Sequence, residues 1–303
     1  MEYLVATYTD TGIQKETNQD SICVRRAASD TGEIVMAIVC DGMGGLKKGE
    51  VASAVSVNAF GAWFDKNLRG LPMLGETDFS LIQRQWTVLI EEIHQSLQQY
   101  AVKSGVQLGT TITAIFVCAD RYLTMNIGDS RIYERKNVLC QLTQDQSLVA
   151  REIAAGRITE EEGRHHPQRN ILLQCLGAGD HVAPMFTMGK IRNDALYLLC
   201  SDGLVHEMSP EELAEHFQAE HLDSKDAMTA ALREATELCK SRGETDNITS
   251  VLIRSRRSDS IKPKKFGVDR LHQAFHPAKA NREQTVTLLE TAQVTHTEET
   301  IEI

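Results

Sequence analysis

Apolar and polar positions follow two rhythms along this chain, and the switches between them outline its architecture. Short apolar runs rich in Val, Ile and Leu recur at residues 4–9, 21–26, 34–40, 111–118, 122–127, 131–135, 195–200 and 247–253. Runs of this length, bounded by Gly, Asp, Asn and Ser, predict strands, and those apolar at nearly every position predict burial on both faces. Between the third and fourth runs the period lengthens to a helical one. Residues 50–68 place Val51, Ala54, Val55, Ala59 and Ala62 on one face, and residues 80–101 place Ile82, Trp86, Leu89, Ile93, Leu97 and Tyr100 on another. Further helices are expected at 147–156, 210–218 and 225–241. The Ser209-Pro210-Glu211-Glu212 stretch supplies a serine cap with proline at the first helical position. Hairpin-spaced strands, then a helical pair, then more strands do not alternate as β-α-β units. The expected class is therefore α+β with antiparallel sheets.

Past residue 253 the pattern stops. Residues 254–265 carry Arg254, Arg256, Arg257, Lys262, Lys264 and Lys265 against Asp259 alone, and residues 285–300 hold six threonines. A solvated, poorly ordered tail is expected there. Thr295 and Thr297, beside Glu298 and Glu299, are candidates for phosphorylation.

Composition narrows the function classes. Residues 254–303 hold 9 Lys/Arg and 7 Asp/Glu, leaving 23 against 35 in residues 1–253, so within the net charge of −10 the body carries −12. An acidic body argues against nucleic-acid binding and is compatible with carboxylates gathered around divalent metal. The start lacks the basic and apolar segments of a secretory signal. No apolar run approaches the roughly 18 residues that span a bilayer, so no membrane insertion is expected. Seven cysteines never form Cys-x-x-Cys, and most lie in apolar runs, as buried free thiols do. That usage predicts a reducing cytoplasm, with neither a disulfide framework nor a zinc site.

Candidate chemistry sits at the ends of the apolar runs. The run 34–40 leads into Asp41-Gly42-Met43-Gly44-Gly45, the run ending at Ser201 gives Asp202-Gly203, and the run ending at Gly128 gives Asp129-Ser130-Arg131. Asp20 and Asp246 complete a set of five aspartates at strand edges. Asp-Gly is also the strongest hairpin dipeptide, so each pair by itself reads as a turn. Read together, the five suggest a hard-cation site assembled from distant segments. A nucleotide-binding reading of the glycines fails, because neither Gly-x-Gly-x-x-Gly spacing nor a Walker lysine is present.

Six motifs in order carry a resemblance. The segment Thr9 to Asp20, Asp41-Gly42-Met43-Gly44-Gly45, Gly109-Thr110-Thr111, Gly128-Asp129-Ser130-Arg131, Ser201-Asp202-Gly203-Leu204 and Asp246-Asn247-Ile248-Thr249 together resemble the metal-dependent Ser/Thr protein phosphatases. These form the protein phosphatase 2C, or PPM, family, here in its bacterial form. The resemblance implies a four-layer α-β-β-α sandwich, two antiparallel sheets flanked by helix pairs, with metals at one edge. It implies a phosphatase domain over 1–254, a variable flap over 145–185 and a tail over 255–303. Phosphomonoester hydrolysis is among the slowest uncatalysed reactions. The family meets it with two Mn²⁺ or Mg²⁺ ions about 4 Å apart, which activate a bridging water and clamp the phosphoryl oxygens.

Carried over position by position, Asp41 would bridge the ions with the Gly42 carbonyl on the second, and Asp202 and Asp246 would complete the first. Asp20 would orient metal-bound waters, and Asp129 with Asp202 would form a weaker third site. Lys15 stands where relatives carry a phosphate-binding arginine and would supply a point charge without the bidentate fork. Met43 replaces a proposed general-acid histidine, and Gln19 replaces an acidic neighbour. In the flap, Gln146 stands in place of the usual histidine, and His165 and His166 read as packing or surface residues. Asn247 is expected to orient Asp246 or cap a turn. The implied partners are phosphorylated proteins and a cognate Ser/Thr kinase, for a monomeric enzyme. A narrow switch phosphatase acting on an anti-sigma-factor antagonist, or a metal-dead phosphoprotein-binding scaffold, are the competing classes; intact Asp41, Asp202 and Asp246 argue against the last.

Overall fold

The computed structural model describes residues 1–29, 32–43, 48–67, 79–256 and 296–302. Gly44, Gly45 and Thr295 therefore lie outside the described residues.

Five strands form one sheet. In order across it they are β1 (Glu2–Asp10), β10 (Ile248–Arg256), β9 (Leu196–Cys200), β6 (Arg131–Arg135) and β7 (Leu139–Gln141), all antiparallel. The other sheet runs β11 (His296–Glu302), β2 (Ser21–Ser29), β3 (Gly32–Cys40), β4 (Ile112–Cys118), β5 (Arg121–Ile127) and β8 (Met185–Lys190). It is antiparallel except at its first edge, where β11 runs parallel to β2.

Side chains alternate across each strand, so a strand apolar at every position must serve two cores. In β3, Ile34, Met36, Ile38 and Cys40 face an outer core, whereas Val35, Ala37 and Val39 face the other sheet. In β9, Tyr197 and Leu199 enter the inter-sheet core, and Leu196, Leu198 and Cys200 enter a third core on the far side. Helices α1 (Gly49–Asn67) and α2 (Phe79–Ser104) cover the first outer face. Helices α5 (Asp202–Val205), α6 (Pro210–His216) and α7 (Lys225–Arg242) cover the other. Four layers result, as the resemblance implies, and the α+β class follows the apolar pattern.

Local signals hold at the ends of elements. Ser209 and Glu212 form a reciprocal capping box at the start of α6, with Pro210 behind the cap. Gly243 ends α7 at φ +99°, a left-handed cap that glycine adopts freely.

Four details differ from the sequence expectation. Helix α1 is buried around most of its circumference, because it packs on β2 and β3 and also against α2; Ala62, placed on the apolar face by periodicity, is exposed. A single methyl carries too little apolar area to report which way it points. Strand β8 was not expected, since this half-exposed edge strand has no apolar run to announce it. Strand β10 continues to Arg256, two residues past the expected domain end, with Ser255 Oγ donating to the Arg192 carbonyl at 2.6 Å. Finally, residues 296–302 of the tail pair as β11 rather than remaining without regular structure; residues 257–295 lie outside the described residues.

The outer core centres on Trp86, fully buried and set edge-on to Phe60 (5.3 Å between centroids), Trp63 (5.6 Å) and Phe116 (6.3 Å). Removing a buried aromatic side chain forfeits its transfer free energy and leaves a cavity. Trp86→Ala is expected to cost about 3–5 kcal/mol, read as a lowered denaturant midpoint with an unchanged slope.

Candidate active site

Strand register brings the aspartates to one end of the sandwich. Ser21 pairs with Cys40, so Asp20 and Asp41 leave the same end of the β2–β3 hairpin. Cys200 pairs with both Ser250 and Arg131, so Asp202, Asp246 and Asp129 leave one end of the other sheet. Two hydrogen bonds show that the two ends coincide. Thr111 Oγ1 lies 2.8 Å from Ser130 Oγ, and the Gln19 amide donates to Asn247 Oδ1 at 2.9 Å.

The backbone around Asp41 is tied down from both directions. Its carbonyl accepts from the Thr111 amide (2.9 Å) and the Thr110 hydroxyl (2.8 Å), and its amide donates to Thr111 Oγ1 (3.0 Å). Gly42 has no room for a side chain: a Cβ there would lie 2.4 Å from the Gln19 carbonyl oxygen and 2.6 Å from Gly49. The Met43 amide donates to the Gly109 carbonyl at 3.0 Å, and its sulfur occupies the space a Gly109 Cβ would need. The same device seats Asp246. Gly12, at φ +79°, lets the Asp246 carbonyl approach, and Gly203 admits the Asn247 carbonyl; a Cβ would meet these oxygens at 2.2 and 2.3 Å. Asn247 locks the arrangement, donating from Nδ2 to the Thr11 and Thr17 carbonyls (2.9 and 3.3 Å). Its larger role is thus to fasten the 11–19 segment to the Asp246 loop.

Electrostatics in this edge are severe. Asp20 is fully buried, and neither carboxylate oxygen has a hydrogen-bond partner; the Thr249 and Ser201 hydroxyls lie near without making one of ordinary geometry. Burial first, then Asp202 and Asp246, pushes its pKa up to about 7 against the pull of those hydroxyls. Asp41 is raised well above the usual carboxylate range by burial and by Asp20, Asp202, Asp246 and Asp129. Asp129 is pushed up to about 8 by burial, Asp202 and Asp145.

Two cations answer this charge. The Lys15 ammonium stands 3.0 Å from Asp246 Oδ1; burial works against it, but Asp246, Asp41 and Asp202 outweigh that and raise its pKa. His206, one helical turn after Asp202, sits between that carboxylate (3.4 Å) and Glu244 (3.1 Å). Burial opposes its charge, but Asp202 and Glu244 raise it to about 9.

The residues present fit divalent metal. A buried carboxylate with both oxygens unsatisfied, a second (Asp202) with Oδ1 unsatisfied, and oxygen donors throughout describe a hard-cation site. Among the described residues no three His, Cys, Asp or Glu side chains by themselves close around an ion. A small hard cation that retains several waters and accepts a backbone carbonyl needs few carboxylates, so an open oxygen edge suits it.

The remaining singled-out residues have definite places. Arg131 does not pair with Asp129; it forks onto Asp145 at 3.0 and 2.7 Å, anchoring the flap. Gln146 accepts from the Gly128 amide at 2.9 Å while its own amide donates to the Gly128 carbonyl at 2.8 Å, so the flap base is clasped to the Asp129 turn. In the flap, α3 (Leu148–Ala154) and α4 (Glu160–Arg164) precede His165, which is exposed beside Glu161, and His166, whose Nδ1 accepts from the Gln168 amide. Neither histidine joins the aspartates. Sequence reasoning missed His206 and Glu244. The spacing of four between Asp202 and His206 was the available signal for the first; nothing local marked Glu244.

The sequence profile of protein phosphatase 2C matches residues 12–252. The chain is 31% identical over 260 residues to protein phosphatase PhpP of Streptococcus pneumoniae, covering 84% of this chain and 99% of that protein. It is 32% identical over 249 residues to the serine/threonine protein phosphatase PstP of Mycobacterium tuberculosis, covering 82% of this chain but 44% of that protein, so it spans less than half of that relative's length. The solved catalytic domain of PstP, in complex with two manganese ions, superposes with a TM-score of 0.67 at 27% identity, covering 84% of this chain and 98% of that one. With the fold and the aspartate edge, these matches define a class, the metal-dependent phosphatase sandwich. The chain belongs to the protein phosphatase 2C family of serine/threonine protein phosphatases.

The pKa shifts set a pH dependence for the metal-free protein. Asp20 and Asp129 hold protons in the folded state up to about 7 and 8, whereas an unfolded aspartate releases its proton near 3.9. Folding therefore binds protons between these limits, and stability falls as pH rises through them. A divalent cation bound at this edge would have to displace those protons. The rise in melting temperature on adding Mn²⁺ is expected to be larger at pH 8 than at pH 6; a smaller rise at pH 8 would contradict this assignment.

Proposed function

We propose that the chain hydrolyses phosphoserine and phosphothreonine esters on proteins, using two divalent cations held by Asp41, the Gly42 carbonyl, Asp202 and Asp246. The observation that carries this reading is Asp20, buried with both oxygens unpartnered beside a second, half-buried carboxylate, Asp41. Mn²⁺ or Mg²⁺ fits the oxygen donors, and the two manganese ions in the related PstP catalytic domain support that choice. When bound, such ions supply an acidified water and neutralise charge on the phosphoryl group.

The chain's own residues supply the rest. Asp20 has both oxygens free to orient water at the reacting edge. Asp129 with Asp202 would hold a weaker third cation. Lys15 engages Asp246 here; with a metal ion taking that carboxylate, the ammonium is free to meet a substrate phosphate oxygen. Met43 has no proton to donate, so the leaving alkoxide takes its proton from solvent water in the site. The flap, clasped through Arg131 and Gln146, borders the Asp129 turn and is placed to select among phosphoproteins.

We assign the phosphorylated products of a Ser/Thr kinase as substrates and a monomer as the working form. Six of the seven cysteines are buried and all are free thiols, which supports a reducing, cytoplasmic setting. Among the described residues no helix is long and apolar enough to cross a membrane.

Hydrolysis of p-nitrophenyl phosphate and of phosphothreonine peptides is expected to require Mn²⁺ or Mg²⁺ and to stop with EDTA. Asp41→Asn and Asp202→Asn are each expected to lower kcat by orders of magnitude. Activity that persists without metal, or near-normal turnover in either variant, would sink the mechanism.

Lys15→Arg restores a fork geometry for phosphate. It is expected to lower KM for phosphopeptides with little change in kcat, and an unchanged KM would remove Lys15 from the phosphate site.

A further inference from the structure

Glu244 touches both halves of the site. It is buried, 3% exposed, in the turn between α7 and β10. Its Oε1 accepts from the amides of Thr245 (2.7 Å) and Asp246 (2.8 Å), which shapes the turn that presents Asp246. Its Oε2 lies 3.1 Å from His206 Nδ1. A carboxylate only accepts here, so the ring nitrogen donates. That leaves His206 Nε2 facing Asp202 Oδ2 at 3.4 Å, while Asp202 Oδ1 is buried with no partner. The chain of contacts Asp246 amide–Glu244–His206–Asp202 thus spans the two loops, after β9 and before β10, that carry separate aspartates.

We propose that Glu244 and His206 are positioning residues that clamp Asp202 and Asp246 in one geometry, holding Asp202 by Oδ2 so that Oδ1 is the oxygen presented to metal. This rests on the metal-ligand reading of Asp202 and Asp246 above. Partners of this kind orient ligating carboxylates, and their loss typically weakens metal binding about 10–100-fold. The two arms of Glu244 can be separated chemically. Glu244→Gln keeps an oxygen for the backbone amides but replaces the charged acceptor at His206 Nδ1 with a neutral amide, so it weakens the His206 arm alone. His206→Ala removes both the contact to Glu244 Oε2 and the contact to Asp202 Oδ2, and leaves the backbone-amide arm of Glu244 in place. His206→Gln places an amide donor near the position of Nε2.

The test is Mn²⁺ binding to the full chain by calorimetry, alongside the melting temperature of the metal-free protein. His206→Ala and Glu244→Gln are each expected to raise the Mn²⁺ Kd about 10-fold or more. The double variant should bind no worse than His206→Ala, since both changes cut one chain of contacts. His206→Gln should recover part of the loss and keeps the test open if His206→Ala fails to fold. Variants that melt lower but bind Mn²⁺ as tightly as the unaltered chain would reduce the pair to a structural role and overturn the proposal, as would losses that simply add in the double variant. If the unaltered chain binds no Mn²⁺, the metal-ligand reading itself fails, a result distinct from tight binding by the variants.

Discussion

Mutual repulsion among carboxylates gathered at a buried edge is the constraint on which the rest of this structure depends. Asp20, Asp41 and Asp129 all hold protons more tightly than free aspartates, and each is pressed by its neighbours as well as by burial. No folded chain places such groups together for stability. Their arrangement has to be imposed by the scaffold, and two sheets whose central strands β3 and β9 each serve two cores are well suited to that. The apolar contacts that fix the strands reach up to this edge, through Cys40, Cys200 and Ile248, and oppose the repulsion there.

The means of imposing it are mostly backbone. Gly12, Gly42 and Gly203 remove side chains where one segment must touch another, and Asn247 stitches the N-terminal segment to the Asp246 turn. Thr110 and Thr111 hold the Asp41 carbonyl and amide, and Thr111 passes the contact on to Ser130 beside Asp129. Lys15 and His206 are the counterweights of opposite charge, reaching Asp246 and Asp202 respectively. They show how the metal-free edge tolerates its charge. Binding of divalent cations would take over that neutralising role and free Lys15 for an anionic substrate.

Much of this was legible in the sequence. The strands 34–40 and 131–135 were readable because both faces of each are apolar or end at a turn residue, and the capped start of α6 because its signal is contained in four residues. The five aspartates stood out because each sits at one edge of an apolar run. Ala62 misled because one methyl reports little about burial, and β8 was silent because an edge strand half in solvent needs no apolar pattern. His165 and His166 drew notice by being adjacent, yet they lie on the flap surface, while the histidine beside the aspartates is His206.

By itself the sequence determined the strands, the helices, the α+β class and the roll of candidate ligands, because period-two burial and turn residues are local properties that each segment carries with it. Only the tertiary structure decided that Arg131 serves Asp145 instead of Asp129, that Gln146 clasps Gly128, that Lys15 reaches Asp246, and that Glu244 joins Asp246 to His206. The physical reason is the same in each case. A polar side chain can satisfy its hydrogen bonds with many partners, and which one it meets depends on strand register and loop closure across tens or hundreds of residues.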